Sequence, residues 1–180
     1  MRHWIRHHLP NEDTLRAHPG LRWMGPLLRR PWLWHLNRRR VALGAGIGVF
    51  FGFIVPVLQI AGAALFAVLL RANLPVAAAA TLVSNPLTFA PIVLLAHRTG
   101  AALLDEPVDE RAAEALAEAV QADGASPSWI ERAMRIGKPL LLGLAVFAVV
   151  GGIGTWALVH LAWTWATLRR RRRRRRRRTA

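Results

Sequence analysis

Residues 41–96 read VALGAGIGVFFGFIVPVLQIAGAALFAVLLRANLPVAAAATLVSNPLTFAPIVLLA, 56 positions with one charged side chain, Arg71. The expected solvent for so long an apolar run is lipid rather than water. The turn Arg71-Ala72-Asn73 divides the run into two blocks. Each is interrupted near its middle by proline, Pro56 in the first and Asn85-Pro86 with Pro91 in the second. A hydrocarbon layer about 30 Å thick is crossed by roughly 20 helical residues. The first block, residues 41–70, and the second, residues 74–104, are therefore too long for one straight span and too short for two.

A third apolar stretch, residues 139–163, carries His160 as its only ionisable group and reads as one uninterrupted span. Hydrophobic residues make up 53% of the 180-residue chain, and they are concentrated in these three stretches rather than spread evenly. The fold class expected is all-α: an integral membrane helical protein with two proline-broken blocks, one of them re-entrant, and one further transmembrane helix. The organisation follows the same divisions. Residues 1–40 form a basic, Trp-rich interfacial segment, and residues 41–104 the membrane core. Residues 105–138 form an acidic extramembrane helical insert, residues 139–165 the transmembrane helix, and residues 166–180 a polyarginine tail.

Charge is sorted along the chain. Ten of the 25 basic residues are the run Arg169–Arg178, nine more lie in residues 1–40, and eight of the ten acids lie in residues 98–138. Basic residues flanking membrane segments mark the cytoplasmic side. Both termini are then expected in the cytoplasm, with an even number of crossings and the acidic insert on the opposite side. In that arrangement one of the first two blocks crosses and the other dips in and returns, but charge does not say which. The alternative is three crossings, with the termini on opposite sides. The N-terminus is basic but lacks the short apolar region and small-residue cleavage site of a signal peptide, so no cleaved leader is expected.

Gly44, Gly48 and Gly52 recur every four residues, on one helix face, where another helix backbone can approach closely. Pro56 removes a backbone donor and clashes with the carbonyl of Gly52, which breaks the helix there. Pro86 pushes Asn85 out of helical geometry. Backbone groups freed at such breaks need partners where water is absent, and Gln59, Ser84, Asn85 and Thr88 can supply them. Pro56, Gln59, Ser84, Asn85, Pro86 and Thr88 are accordingly the candidate polar binding site, with kink stabilisation as their structural alternative. Asn73, ahead of Pro75, reads as a helix N-cap.

No catalytic residue, cofactor or metal ligand is expected. The apolar blocks hold no carboxylate, and no phosphate loop or dinucleotide motif occurs. His3, His7 and His8 lack a partnering acid, and there is no cysteine. The expected partners are anionic lipid headgroups, held by Arg169–Arg178 and Arg38–Arg40. A homo-oligomer is expected from the glycine face, and nucleic acid is not. Trp32 and Trp34 would lie at the membrane interface, or pack against the rest of the protein.

The motifs Gly48-Val49-Phe50-Phe51-Gly52-Phe53 with Pro56 and Gln59, Leu70-Arg71-Ala72-Asn73-Leu74-Pro75, and Ser84-Asn85-Pro86-Leu87-Thr88 resemble the bacterial membrane family called domain of unknown function 2062. The resemblance implies a small inner-membrane protein of Gram-negative bacteria and carries over no catalytic residues. The expected role is a multi-pass inner-membrane protein, transporter-like or envelope-related, with its broken helices lining a polar site. The alternative is a non-transporting scaffold or anchor that binds a protein partner through residues 105–138.

Overall fold

The structure, a computed structural model, describes residues 30–54, 59–123 and 137–176, and these are helix and turn throughout. After a 3-10 turn at Pro31–Leu33, the helices are α1 (Arg38–Ile54), α2 (Gln59–Leu69), α3 (Leu74–Ala80), α4 (Pro86–Leu104), α5 (Glu110–Asp123) and α6 (Lys138–Arg176). A second 3-10 turn, Thr81–Val83, extends α3. Pro56 and residues 124–136 of the expected helical insert lie outside the described residues.

α6 is the spine. At 39 residues and 1.5 Å per residue it is about 58 Å long. α1 runs antiparallel along its middle, from Phe147 to Thr164. Arg38 donates to the Thr164 hydroxyl at 3.0 Å, Gly46 meets Gly152, and Phe53 meets Phe147 with ring centroids 6.0 Å apart. α4 runs antiparallel along its first turns, where Gly100 lies against Pro139 and Gly143 against Ala96. α1 and α4 are thus stacked nearly end to end on α6, with their joint near Phe147 and Gly151.

The two proline-broken blocks behave differently. In the first, α2 folds back along α1: Phe51 packs on Phe66 at 5.0 Å between centroids, and Gly62 sits against the Phe51 ring. The chain returns to the start of α1, where the Asn73 N–H donates to the Arg40 carbonyl at 3.0 Å. In the second block, α3 runs parallel to α1, and α4 carries the chain on past the end of α1 to the far end of the spine.

The reversal after α2 is a Schellman C-cap. Arg71 adopts φ 55°, the Ala72 N–H reaches the Ala67 carbonyl at 2.8 Å, and the Arg71 N–H reaches Val68 at 3.3 Å. Ala67 and Ala72 are both fully buried beneath it. Asn73 then caps α3. Its Oδ1 accepts from the Val76 N–H at 3.1 Å, and its Nδ2 donates to the His35 carbonyl at 3.3 Å. One buried amide therefore ties the turn to the segment ahead of α1.

The four-residue glycine repeat of α1 meets α3. A Cβ on Gly44 would stand 2.6 Å from the Asn73 carbonyl, one on Gly48 would overlap Ala77, and one on Gly52 would lie 2.7 Å from Val83. Gly46 lies on the other face of the helix and serves the α6 contact, where its Cβ would stand 2.8 Å from the Gly152 carbonyl.

Leu33 is fully buried against α2 and α3 with Trp32 and Trp34 packed beside it, as in the packing alternative for these tryptophans. Two further segments differ in detail from expectation. Pro91, read as part of the interruption, lies inside a helix: α4 begins at Pro86 and runs through it, because a cap at Asn85 starts it early. The last span and the arginine tail are one helix to Arg176. Arginine is a good helix former, and the Arg169 guanidinium stacks on Trp165 at 3.4 Å.

α5 is docked rather than free. Ala113 and Ala117 are buried with Phe89, Val93, Ala96 and Leu140. Arg98 pairs with Glu110 at 2.5 Å, and Asp109 donates its N–H to His97 Nε2 at 3.0 Å.

Two stability outcomes follow from this packing, both measured as thermal unfolding in detergent. Gly48→Ala forces α1 and α3 apart and should cost about 1–3 kcal/mol, as overpacking does. Ala at Gly154, whose Cβ would meet nothing within 4 Å, should be near neutral. At Arg71, where φ is positive, glycine should stabilise by about 1 kcal/mol and valine should destabilise.

Candidate functional site at the helix joint

The breaks of the two blocks meet. Gln59 opens α2, and its Oε1 accepts from the Ser84 hydroxyl at 2.9 Å across 25 residues of sequence. Ser84 Oγ also lies 3.4 Å from the Thr81 carbonyl. Asn85 caps α4: its Oδ1 accepts the N–H groups of Leu87 at 2.9 Å and Thr88 at 3.1 Å. Thr88 reciprocates, accepting the Asn85 N–H at 3.0 Å and donating to the Val83 carbonyl at 2.6 Å. This is a capping box with Pro86 at the helix start, where its missing N–H costs nothing. Asn85 Nδ2 reaches the Leu82 carbonyl at 3.4 Å.

Gln59, Ser84, Asn85, Pro86 and Thr88 are therefore brought to one joint, beside Gly52, where Thr81 and Val83 approach α1. Pro56 falls outside the described residues. The named side-chain oxygens at the joint bond to backbone or to one another, an arrangement that secures two broken helices without outside partners. No ionisable side chain belongs to this constellation, so it offers neither a proton donor nor a charged ligand.

Two histidines hold unpartnered buried nitrogens. His97, 2% exposed, accepts from Asp109 through Nε2, and its Nδ1 meets no partner among the described residues. His160 Nδ1 is likewise without a partner there, and its ring lies 5.8 Å from that of Trp156. Among the described residues no three His, Asp or Glu side chains converge as a metal site would require.

A groove of about 380 Å³ lies between α1, α6 and the outer edge of α2. Leu43, Gly46, Ile47 and Phe50 form its α1 wall, Phe66 its α2 edge, and Val149, Gly152, Ile153 and Trp156 its α6 wall. No polar side chain lines it. The sequence carries a signal for it: Leu43, Gly46, Ile47 and Phe50 share one helical stripe, adjacent to the Gly44–Gly48–Gly52 stripe, which had drawn attention alone.

A family model described as an uncharacterized protein conserved in bacteria, DUF2062, matches residues 21–174. The chain belongs to the DUF2062 family. The match takes in α1 to α5 whole and all but the last turn of α6, so the joint and the groove both lie within the family region. No curated protein and no solved structure matches this DUF2062 chain.

If the joint is a capping device, its chemistry is local and interchangeable. Asn85→Ser should retain stability, whereas Asn85→Ala should lose about 1 kcal/mol. Thr88→Ala should lose less in the Asn85→Ala background than alone, because the two act as one box. Detergent-solubilised thermal unfolding of the four proteins checks this, and additive losses would contradict it.

Proposed function

We propose that this chain is an integral inner-membrane protein of the bacterial envelope with two crossings and one returning hairpin. On this reading it works through lipid-facing surfaces rather than by passing a polar solute. Two of its helices are long and apolar enough to cross a membrane, Leu87–Leu104 and Lys138–Arg169. Many large apolar side chains face outward, among them Leu87 at 85% exposed, Val150, Ile153, Leu158 and Leu161. Water would penalise that surface, and lipid accepts it.

Polarity supports the topology. The Arg38–Thr164 bond brings the basic start of α1 beside the stretch leading into the arginine run, and Arg71 returns to the same end. The exposed acids Glu110, Glu114 and Glu118 belong to α5 at the other end. With positive charge held inside, both termini are cytoplasmic. The hairpin α1–α2 is the re-entrant element, since α2 folds back along α1 and the chain returns to the Arg40 carbonyl at the start of α1. The apolar part of α6, residues 139–168, is about 45 Å long, so roughly ten residues lie beyond the hydrocarbon.

The observation that carries the non-transporting reading is the contrast between the two candidate sites. The polar oxygens at the joint are engaged in caps, and the groove between α1 and α6 is lined by apolar side chains. Residues 38–104 and 138–176 contain no carboxylate, which further supports a role without acid–base catalysis. A second reading is a scaffold that binds a basic partner through the outward Glu114 and Glu118. In that case Glu114→Gln with Glu118→Gln should release the partner without altering topology.

The absence of cysteine makes single-cysteine labelling a clean test. With a membrane-impermeant maleimide, Cys at Glu114 should label from the outer face and Cys at Arg71 only after the cells are opened. Cys at positions 150 to 158 should stay protected from both sides. Labelling of positions 71 and 114 from the same side would overturn the two-crossing topology.

A further inference from the structure

We propose that the groove between α1 and α6 holds an acyl chain of a single anionic phospholipid, with the phosphate seated at its basic mouth by Arg39 and His160. This rests on the reading of the chain as membrane-embedded. The groove is apolar throughout, and its volume falls within the range of about 300–1,000 Å³ typical of ligand pockets. Its outer side is open along Phe66, Ile153 and Trp156, each more than 40% exposed. A chain from the surrounding leaflet can therefore enter sideways.

Two side chains lie one turn beyond the lining residues at this end, Arg39 on α1 and His160 on α6. Arg39 lies four residues before Leu43, one turn above it on the stripe that forms the α1 wall. It is exposed and makes no hydrogen bond or ion pair among the described residues. By contrast its neighbours are engaged: Arg38 with Thr164, and Arg40 with the Trp32 carbonyl at 3.0 Å. His160 lies one turn beyond Trp156 on the α6 wall, in ring contact with it, with Nδ1 buried and unpartnered. Phosphate would supply what both lack: an anion for a guanidinium and an acceptor for an imidazole N–H.

Charge complementarity selects the occupant. The mouth lies at the end of the molecule that gathers Arg38, Arg39, Arg40, Arg71 and Arg169, whereas the acids of residues 105–118 lie at the opposite end. A second copy inserted with the same orientation would bring arginines, not carboxylates, to the mouth. An anionic headgroup of the cytoplasmic leaflet brings the charge that is missing.

The test uses full-length protein, delipidated in detergent and titrated with phosphatidylglycerol or phosphatidylcholine, and read by native mass spectrometry. One phosphatidylglycerol per chain should be retained in preference to phosphatidylcholine. Arg39→Gln should weaken that retention about fivefold, the factor for one arginine at a headgroup. Arg169→Gln, a charge at the same end engaged with Trp165, should leave it nearly unchanged. Ile153→Trp, a replacement at an exposed position that fills the groove, should abolish retention of either lipid.

Equal retention of the two lipids, or equal loss in the Arg39 and Arg169 variants, would overturn the site in favour of diffuse attraction. A dimer that carries no lipid and dissociates in the Ile153→Trp variant would overturn it in favour of a second copy. Alkaline extraction of membranes checks the underlying reading separately. Protein that stays in the pellet yet fails the lipid test loses the site alone, and protein released to the supernatant loses both.

Discussion

Everything else in this protein is arranged around direct contact between helix backbones along α6. Gly46 meets Gly152, and Gly100 and Gly143 lie against Pro139 and Ala96, at separations that leave no room for a Cβ. Such contacts suit an environment in which burying apolar side chains gains little, because lipid tails are as apolar as leucine. Dispersion over a close, well-fitted surface must then hold helices together. Since α1 and α4 both settle on α6 in this way, their ends are brought together and the joint between the two blocks is defined.

The joint shows how an apolar chain can break its helices twice at one level. The freed groups of the second break are met by a capping box within four residues, Asn85 to Thr88. The Ser84–Gln59 bond then links that break to the start of α2. Polar side chains that would be costly alone are satisfied in pairs. The result is a rigid corner, and the apolar groove lies apart from it on α1 and α6.

Local features were legible in the sequence because their causes are local. The N-cap at Asn73, the interruption at Asn85-Pro86 and the close-packing face at Gly44, Gly48 and Gly52 each depend on residues within a turn or two. The effect of Pro91 was misjudged because a proline early in a helix gives up few intrahelical bonds, and the strength of the preceding cap decides whether the helix starts before or after it. The burial of Leu33 and the docking of α5 through Ala113 and Ala117 were not legible, since alanine and a short Trp-flanked turn carry no periodic signal of their own.

The sequence by itself determined that the chain is all-helical, which segments are apolar, that basic groups gather at both termini while acids gather between, and which side chains cap the breaks. Only the tertiary structure decided that α2 turns back while α4 runs on, although the two blocks share one plan. A proline frees the chain to change direction but does not choose the direction. That choice comes from distant partners: Phe51 and the Leu33 cluster for α2, and the glycines of α6 for α4. The groove belongs to the same class, since its walls are 106 residues apart in sequence (149 − 43) and exist only once α1 lies against α6.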